Sequence, residues 1–221
     1  MLIPDLWQAI EGDPADYLLR SEIDGPRRLL IVPALFDEAN KLRHFTVDTM
    51  RRLEELGVAT LLPDLPGMNE SRSALDKQTL GGWGKLVSAL AATERVDAVL
   101  AFRGGALLAP AGLRCLALAP VTGASQLRGM LRARVLADRE NGRQSTRESL
   151  LEIGEERGLD LAGHAISAQM VRDLQSAGLP PNVEAIAQSE LGGPGLWLRA
   201  EPEHDPAQAE RLALYLADAL L

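Results

Sequence analysis

The residues best able to do chemistry lie where an apolar run meets a tight turn. Val96-Asp97-Ala98-Val99-Leu100-Ala101-Phe102 leads into Arg103-Gly104-Gly105, and small and apolar residues follow. In many α/β enzymes a strand–turn–helix of this form carries the nucleophile of Gly-x-Ser-x-Gly, with small flanks because the turn packs between strand and helix. Aligned on Gly105, the five positions read Ala101-Phe102-Arg103-Gly104-Gly105. The small flanks are present and the nucleophile is not, because a guanidinium is permanently protonated and has no nucleophilic lone pair. Two roles remain for Arg103. At a helix N-terminus, where N–H groups and the helix dipole favour an anion, it would grip a ligand carboxylate or phosphate in bidentate fashion. Alternatively it pairs internally with Asp37 or Glu38 and fills the vacated pocket, since an isolated buried charge is costly. The two roles are compatible.

Three further stretches bear on the same site. Leu35 to Arg43 carries Asp37, Glu38, Asn40, Lys41 and Arg43 directly after an apolar run. In hydrolases the corresponding loop supplies an oxyanion-hole N–H. Asp37, Glu38 and Asn40 are therefore candidate binding residues, against the simpler reading of a helix start with solvated charges. Asp64 in Pro63-Asp64-Leu65-Pro66-Gly67 ends another apolar run and joins the candidate set; its ordinary role would be a turn carboxylate bonding nearby N–H groups. His204, in Arg199-Ala200-Glu201-Pro202-Glu203-His204-Asp205-Pro206, is where an α/β hydrolase keeps its general base. It is the candidate catalytic residue, acting toward water, unless it is an exposed loop residue. His44 and His164 read as structural, and three scattered histidines give no metal motif. Ser71, Ser125 and Ser167 lie in no elbow, and Cys115, within an apolar run, reads as inert core. Neither a metal nor a cofactor is expected.

The elements that must position these residues follow from the apolar pattern. Arg28 to Val32, Val58 to Leu62 and Ala98 to Phe102 are short apolar runs suited to strands buried on both faces. Asp16 to Ile23 reads as a first edge strand. Arg114 to Ala119, Val183 to Gln188 and Leu196 to Arg199 read as later strands. Ala34 to Arg43 reads as a loop, and helical spacing begins at Phe45 and ends before Gly57. Thr79 to Thr93 is the next helix. Between Val121 and Leu179 no strand is evident; helices are expected over Ser125–Arg139, which carries Arg128, Arg132, Arg134 and Arg139, over Ser149–Arg157, and over Ser167–Ser176 with Ser167 as N-cap. The last helix has Asp205 as N-cap and Pro206 at its first position. Strand and helix alternation predicts an α/β-hydrolase-like three-layer sandwich, one domain over 1–221 with a mostly parallel central sheet. A helical, lid-like insertion is expected at about 121–180.

Composition bounds the function. The 221 residues are 46% hydrophobic but only 4% aromatic, so Leu, Ala and Val must build the core. A net charge of -8 disfavours nucleic acid and anionic membranes. A single cysteine excludes an internal disulfide. No apolar run approaches the ~20 residues of a membrane span, and Pro4 and Asp5 break any signal-peptide pattern, so a cytoplasmic location is expected.

Several motifs, in order, resemble the exosortase A system-associated hydrolases. Pro33-Ala34-Leu35-Phe36-Asp37-Glu38-Ala39-Asn40-Lys41-Leu42-Arg43 resembles that family's Pro-Phe-Ala-Glu-Glu-x-Asn-Lys-x-Arg. Asp64-Leu65-Pro66-Gly67-Met68-Asn69-Glu70-Ser71 is similar to its Asp-Leu-x-Gly-x-Gly-Asp-Ser. Phe102-Arg103-Gly104-Gly105-Ala106-Leu107-Leu108-Ala109 resembles its Leu-Arg-x-Gly-Ala-Leu-Leu-Ala, in which Arg also replaces the nucleophile. Pro120-Val121-Thr122-Gly123 and the helix from Leu127-Arg128 are similar to its Pro-Val-x-x-Gly and Leu-Arg-x-x-x-Ala, and Gly163-His164-Ala165-Ile166-Ser167 loosely to its Gly-Tyr-x-x-Ser. The resemblance covers about Leu29 to Leu179 and implies an α/β-hydrolase fold near bacterial exopolysaccharide functions. Two functions follow as expectations. One is hydrolysis of an ester, thioester or related acyl substrate with an anionic end, with Arg103 on the anion and His204 as base. The other is a non-catalytic module that binds a metabolite or a partner protein. A homodimer that builds its site from the arginine-rich middle helix is a third arrangement.

Overall fold

The buried apolar runs become strands of one sheet covered by helices on both faces, as continuous apolar strands require. The computed structural model describes residues 1–8 and 15–220. The strands are β1 (Leu2–Trp7), β2 (Asp16–Ser21), β3 (Arg27–Val32), β4 (Val58–Pro63), β5 (Ala98–Phe102), β6 (Arg114–Leu118), β7 (Leu159–Leu161), β8 (His164–Ile166) and β9 (Val183–Ile186). Seven of them form the main sheet in the order β1-β2-β4-β3-β5-β6-β9, and β7 and β8 form a separate hairpin. β1–β2 and β2–β4 pair antiparallel; every other pairing in the main sheet is parallel.

Alternation along the strands divides the core in two. Leu30, Val32, Val99, Ala101, Cys115 and Ala117 face one side, with Trp83 and Val87 of helix α2 (Leu80–Thr93) and Leu127 and Met130 of helix α3 (Gly123–Glu140). Leu29, Ile31, Leu100, Phe102 and Leu116 face the other, with Phe45 and Leu53 of helix α1 (Asp37–Glu55) and Leu212 and Leu216 of helix α7 (Pro206–Leu220). Between α3 and β9 come α4 (Arg147–Arg157), the hairpin, and α5 (Ala168–Ser176); a short α6 (Gln188–Leu191) precedes α7. Ser167 caps α5 by accepting from Met170 N, and Asp205 caps α7 by accepting from Ala207 N and Gln208 N.

Four expectations are corrected. The edge strand is β1, not Asp16–Ile23; its Pro4 is tolerated because an edge strand does not need every N–H. Helix α1 begins at Asp37, so the charged stretch is its first two turns rather than a loop; Asp37 and Glu38 complement the dipole at that end. The middle segment does contain strands, the three-residue β7 and β8. Leu196–Arg199 is not a strand. Leu196–Leu198 forms a 3-10 turn, and a Cβ on Gly195 would sit 2.5 Å from the Trp197 ring, so this glycine lets the indole fold back on the chain.

Candidate functional site

The chain leaves β3 toward β4 on one side, with α1 between them, and later returns to β5 on the other side, with α2 between. β3 and β5 are thus adjacent at a topological switch point, where ligands bind outside the carboxyl ends of strands in α/β sheets. Phe36, Asp37 and Glu38 follow β3, and Arg103 follows β5.

The turn after β5 is tight and leads into a six-residue 3-10 helix, Arg103–Leu108, rather than the α-helix the sequence pattern suggests. Arg103 has φ 52, a left-handed conformation that costs a non-glycine residue energy. Gly105 shows why the turn is built this way: a Cβ there would lie 2.2 Å from the carbonyl oxygen of Pro33, a backbone atom at the end of β3. Strain gathers around this point. Among the described residues, six non-glycine residues have positive φ, and four of them are Phe36, Arg103, Ala119 and Ala162. Arg103 and Ala162 line the cleft described below, Phe36 precedes its Asp37, and Ala119 accepts a hydrogen bond from Arg103. Clustered strain of this kind marks functional sites more often than bare scaffolding.

Arg103 is held on three sides. Its Nε and Nη2 donate to Glu38 Oε2 and Oε1 at 3.3 and 3.2 Å, and Nη1 donates to the Ala119 carbonyl at 2.8 Å. Its guanidinium lies 4.3 Å from the centroid of the Trp197 ring, a cation–π contact. The partner of Arg103 is therefore Glu38. Asp37 pairs instead with Lys41, at 3.1 Å. The Arg103 and Glu38 side chains are 15% and 14% exposed. Burial pushes the Glu38 carboxyl above the usual carboxylate range, with Arg103 working against that rise. Three of the five guanidinium N–H groups are used, and two remain.

Beside this pair is a cleft of about 300 Å³. Asp37, Glu38, Lys41 and Arg103 form one wall, and Ser125, Gln126, Gly129 and Ala133 of α3 form much of the other. The charges of the four ionisable wall residues cancel, so the cleft is polar without being strongly cationic. Gln126 was invisible as a site residue in the sequence. It is buried, its Oε1 has no hydrogen-bond partner, and that oxygen lies 2.9 Å from where a Cβ on Gly104 would be. Only the packing of α3 over the elbow brings it there. Ser125 reaches the cleft in the same way.

The remaining sequence candidates lie elsewhere. Asn40 is exposed and does not line the cleft. Asp64 is 1% exposed; its Oδ1 accepts from Arg43 Nη1 and Asn69 Nδ2, both at 2.9 Å, so it ties β4 to α1 and the following turn through side chains rather than backbone N–H groups. His204 does not join Arg103. Its ring stacks on His44, centroids 4.0 Å apart, and its Nε2 is 3.4 Å from Asp48 Oδ2. Asp48 is ten residues beyond Glu38 on α1, about 15 Å along the axis. Burial, then His44, pull the His204 pKa below its ordinary value. His164 comes closer than expected: its ring is 5.7 Å from Phe36, and burial lowers its pKa while Asp37 opposes the shift. Burial pushes the Cys115 thiol up to about 12, which leaves it inert. Among the described residues no group of His, Cys, Asp and Glu is arranged to hold a metal, and no helix is long and apolar enough to cross a membrane.

No family model and no curated protein sequence matches the chain. Solved structures match it in fold. Est1E from Butyrivibrio proteoclasticus aligns with a TM-score of 0.59 at 14% identity, over 98% of this chain and 99% of that one. Alpha/beta hydrolase domain-containing protein 10 from mouse aligns at 0.54 and 13% identity, over 99% and 98%. A predicted CIB-like hydrolase from Thermoplasma acidophilum aligns at 0.50 and 13% identity, over 100% and 98%. The fold is that of the α/β-hydrolases: a mostly parallel central sheet between layers of helices.

Proposed function

We propose that this chain uses the α/β-hydrolase fold to bind a small acyl- or carboxylate-bearing molecule in the Arg103 cleft, without hydrolysing it. One observation carries the reading: the strained position after β5 is filled by Arg103, which is fixed by Glu38, Ala119 and Trp197, lines the cleft and keeps two N–H groups that no hydrogen bond within the protein takes. Those donors suit a carbonyl or carboxylate oxygen, and pre-fixing the guanidinium lowers the entropy lost on binding. Pairing with Glu38 offsets most of the positive charge, so the ligand is held by hydrogen bonds more than by net attraction. The Gln126 amide and Ser125 supply further polar contacts. Helix α3 and the turn at Ala162 between β7 and β8 border this cleft and would serve as its lid. The motif resemblance to exosortase A system-associated hydrolases, whose elbow also carries Arg, accords with a shared binding role near exopolysaccharide functions.

Hydrolysis is the second reading, favoured by the elbow strain that survives at Arg103. It lacks a nucleophile at the elbow, and its candidate base His204 is engaged with His44 and Asp48. One experiment separates the two. Short-chain carboxylates, esters and thioesters are titrated calorimetrically into the wild type and Arg103→Lys, and the same esters and thioesters are assayed for turnover. Binding weakened about tenfold by Arg103→Lys, which keeps charge but loses the fork geometry, with no turnover above buffer, is the expected result. Turnover above buffer that Arg103→Lys abolishes would establish hydrolysis instead, and absence of any binding would remove the cleft from consideration.

A further inference from the structure

Helix α3 presents one wall to the cleft and a different face to solvent, and that second face is unusual for this chain. Arg128, Arg132 and Arg139 are exposed, and none of their side chains makes a hydrogen bond or ion pair among the described residues. At about 100° per residue they fall within roughly 40° of one another around the helix, and at 1.5 Å per residue they span about 16 Å. Leu136, 55% exposed, lies beside them on the same side of the helix. The two acids at this end of α3 are elsewhere: Asp138 is buried and bound to Arg134 and Ser145, and Glu140 is about 100° round from Arg139. The arginines therefore form an unneutralised stripe on a chain whose net charge is -8.

Unpaired arginines in a row repel one another and gain nothing for the fold, since the helix is anchored by Leu127, Met130 and Leu131, which lie about 60–160° round from the nearest of them. Their arrangement fits an external partner. An extended polyanion is a poor fit, because a nucleic acid or an anionic membrane would also face the rest of the surface, which without these three charges carries -11 (-8 minus 3). Beyond a Debye length of about 8 Å that repulsion is screened, so a compact acidic surface touching only the stripe is favoured. Three turns of helix set its length, and Leu136 offers it an apolar anchor. Ser125 and Gly129, neighbours of the stripe around α3, line the cleft, so whatever docks here lies along its mouth.

We propose that the Arg128–Arg132–Arg139 face of α3 is a docking surface for an acidic amphipathic helix of a partner protein. The contacts are charge-assisted hydrogen bonds from guanidinium forks to carboxylates around a central apolar contact at Leu136. Such a surface mainly sets partner choice and association rate, so salt weakens it strongly. It does not depend on what the cleft binds.

The test uses the full chain and a fluorescein-labelled synthetic helix with Glu at matching i, i+4 and i+11 positions and Leu beside them, read by anisotropy at low and high salt. A scrambled peptide of the same composition and phosphatidylglycerol vesicles are the other arms. Expected is saturable binding to the patterned helix, weakened at least tenfold by Arg128→Gln/Arg132→Gln/Arg139→Gln and more by the triple Glu reversal. A control reversal of three exposed cations on other elements, Arg51→Glu/Arg72→Glu/Lys85→Glu, changes net charge equally and is expected to cost less than threefold. Circular dichroism checks that each variant is folded. Equal losses in the two reversals would mean general charge and overturn the proposal. So would equal binding to the scrambled peptide, no binding to either peptide, or a stripe-dependent preference for the vesicles.

Discussion

The turn after β5 and the segment between β9 and α7 are the places where a hydrolase of this fold keeps its nucleophile and its base, and here they differ. The turn keeps a tight bend, with positive φ at Arg103 and Gly105 pressed against the chain leaving β3, and a 3-10 helix (Arg103–Leu108) follows it in place of an α-helix. The later segment forms no strand, folds Trp197 over Arg103, and leaves His204 on the flank of α1. The difference teaches what holds each feature in place. The turn's shape is dictated by the close approach of Gly105 to the chain leaving β3. The position of a base depends on a distant element, and once that element turns elsewhere the side chain finds another partner.

If packing holds the elbow, the most damaging single change is at Gly105. A Cβ there meets the Pro33 carbonyl oxygen at 2.2 Å and that of Val32 at 2.9 Å, and backbone cannot give way as a flexible side chain does. Gly105→Ala is expected to cost about 3–4 kcal/mol, lowering Tm by roughly 6–15 °C. Gly129→Ala, on α3 with nothing within 4 Å of its Cβ, is the control and should be neutral or mildly stabilising. Similar melting temperatures for the two variants would show that the turn is not packed as described.

The same contrast explains what could be read from the sequence. Buried strands β3, β4, β5 and β6 were legible because being covered on both faces demands unbroken apolar runs. The elbow was legible because its glycines are local requirements. β1 was not, since an edge strand with Pro4 and an exposed Leu6 carries no apolar run. Leu196–Arg199 has the apolar run of a strand, but those residues serve a turn in which Trp197 covers Arg103, a contact more than ninety residues away in the chain. Gln126 carries no signal in the sequence, and Ser125, set aside there for lying in no elbow, carries none that places it at the cleft, as nothing in α3 says which of its polar residues faces it. Asp37 and Glu38 stand out through their position after β3, but nothing in the sequence says that Glu38 takes Arg103 while Asp37 takes Lys41.

The Arg103–Glu38 pair gives the second largest effect. Removing one partner of a largely buried pair leaves the other charge uncompensated. With each side chain still some 15% exposed, Arg103→Ala is expected to destabilise by about 2–3 kcal/mol at neutral pH. The loss should shrink in acid, because Glu38, already raised by burial, rises further without Arg103 and becomes neutral sooner. Adding Glu38→Gln should recover more than half of it. If denaturant melts show the double variant no more stable than the single one, Arg103 acts through Trp197 rather than through Glu38.

The His204 segment gives the smallest effect and the one that tests the other side of the comparison. Its pKa is held below 6.5 in the fold by burial first and by His44 second, with Arg52 adding to the shift and Asp48 and Asp205 opposing it. An unfolded chain then binds more protons than the folded one just below that value, so stability is full above about pH 6.5 and falls as pH drops toward the folded pKa. His164 is shifted in the same direction by its own burial. Tm measured from about pH 8 to about pH 5 should therefore decline with a component that His204→Gln reduces by roughly 1–2 °C and that His164→Gln reduces separately, the two adding because they sit on different elements. An unchanged acid slope in His204→Gln would mean that the imidazole is free of α1. The segment from Trp197 to Asp205 would then be loose enough to return a base to the cleft.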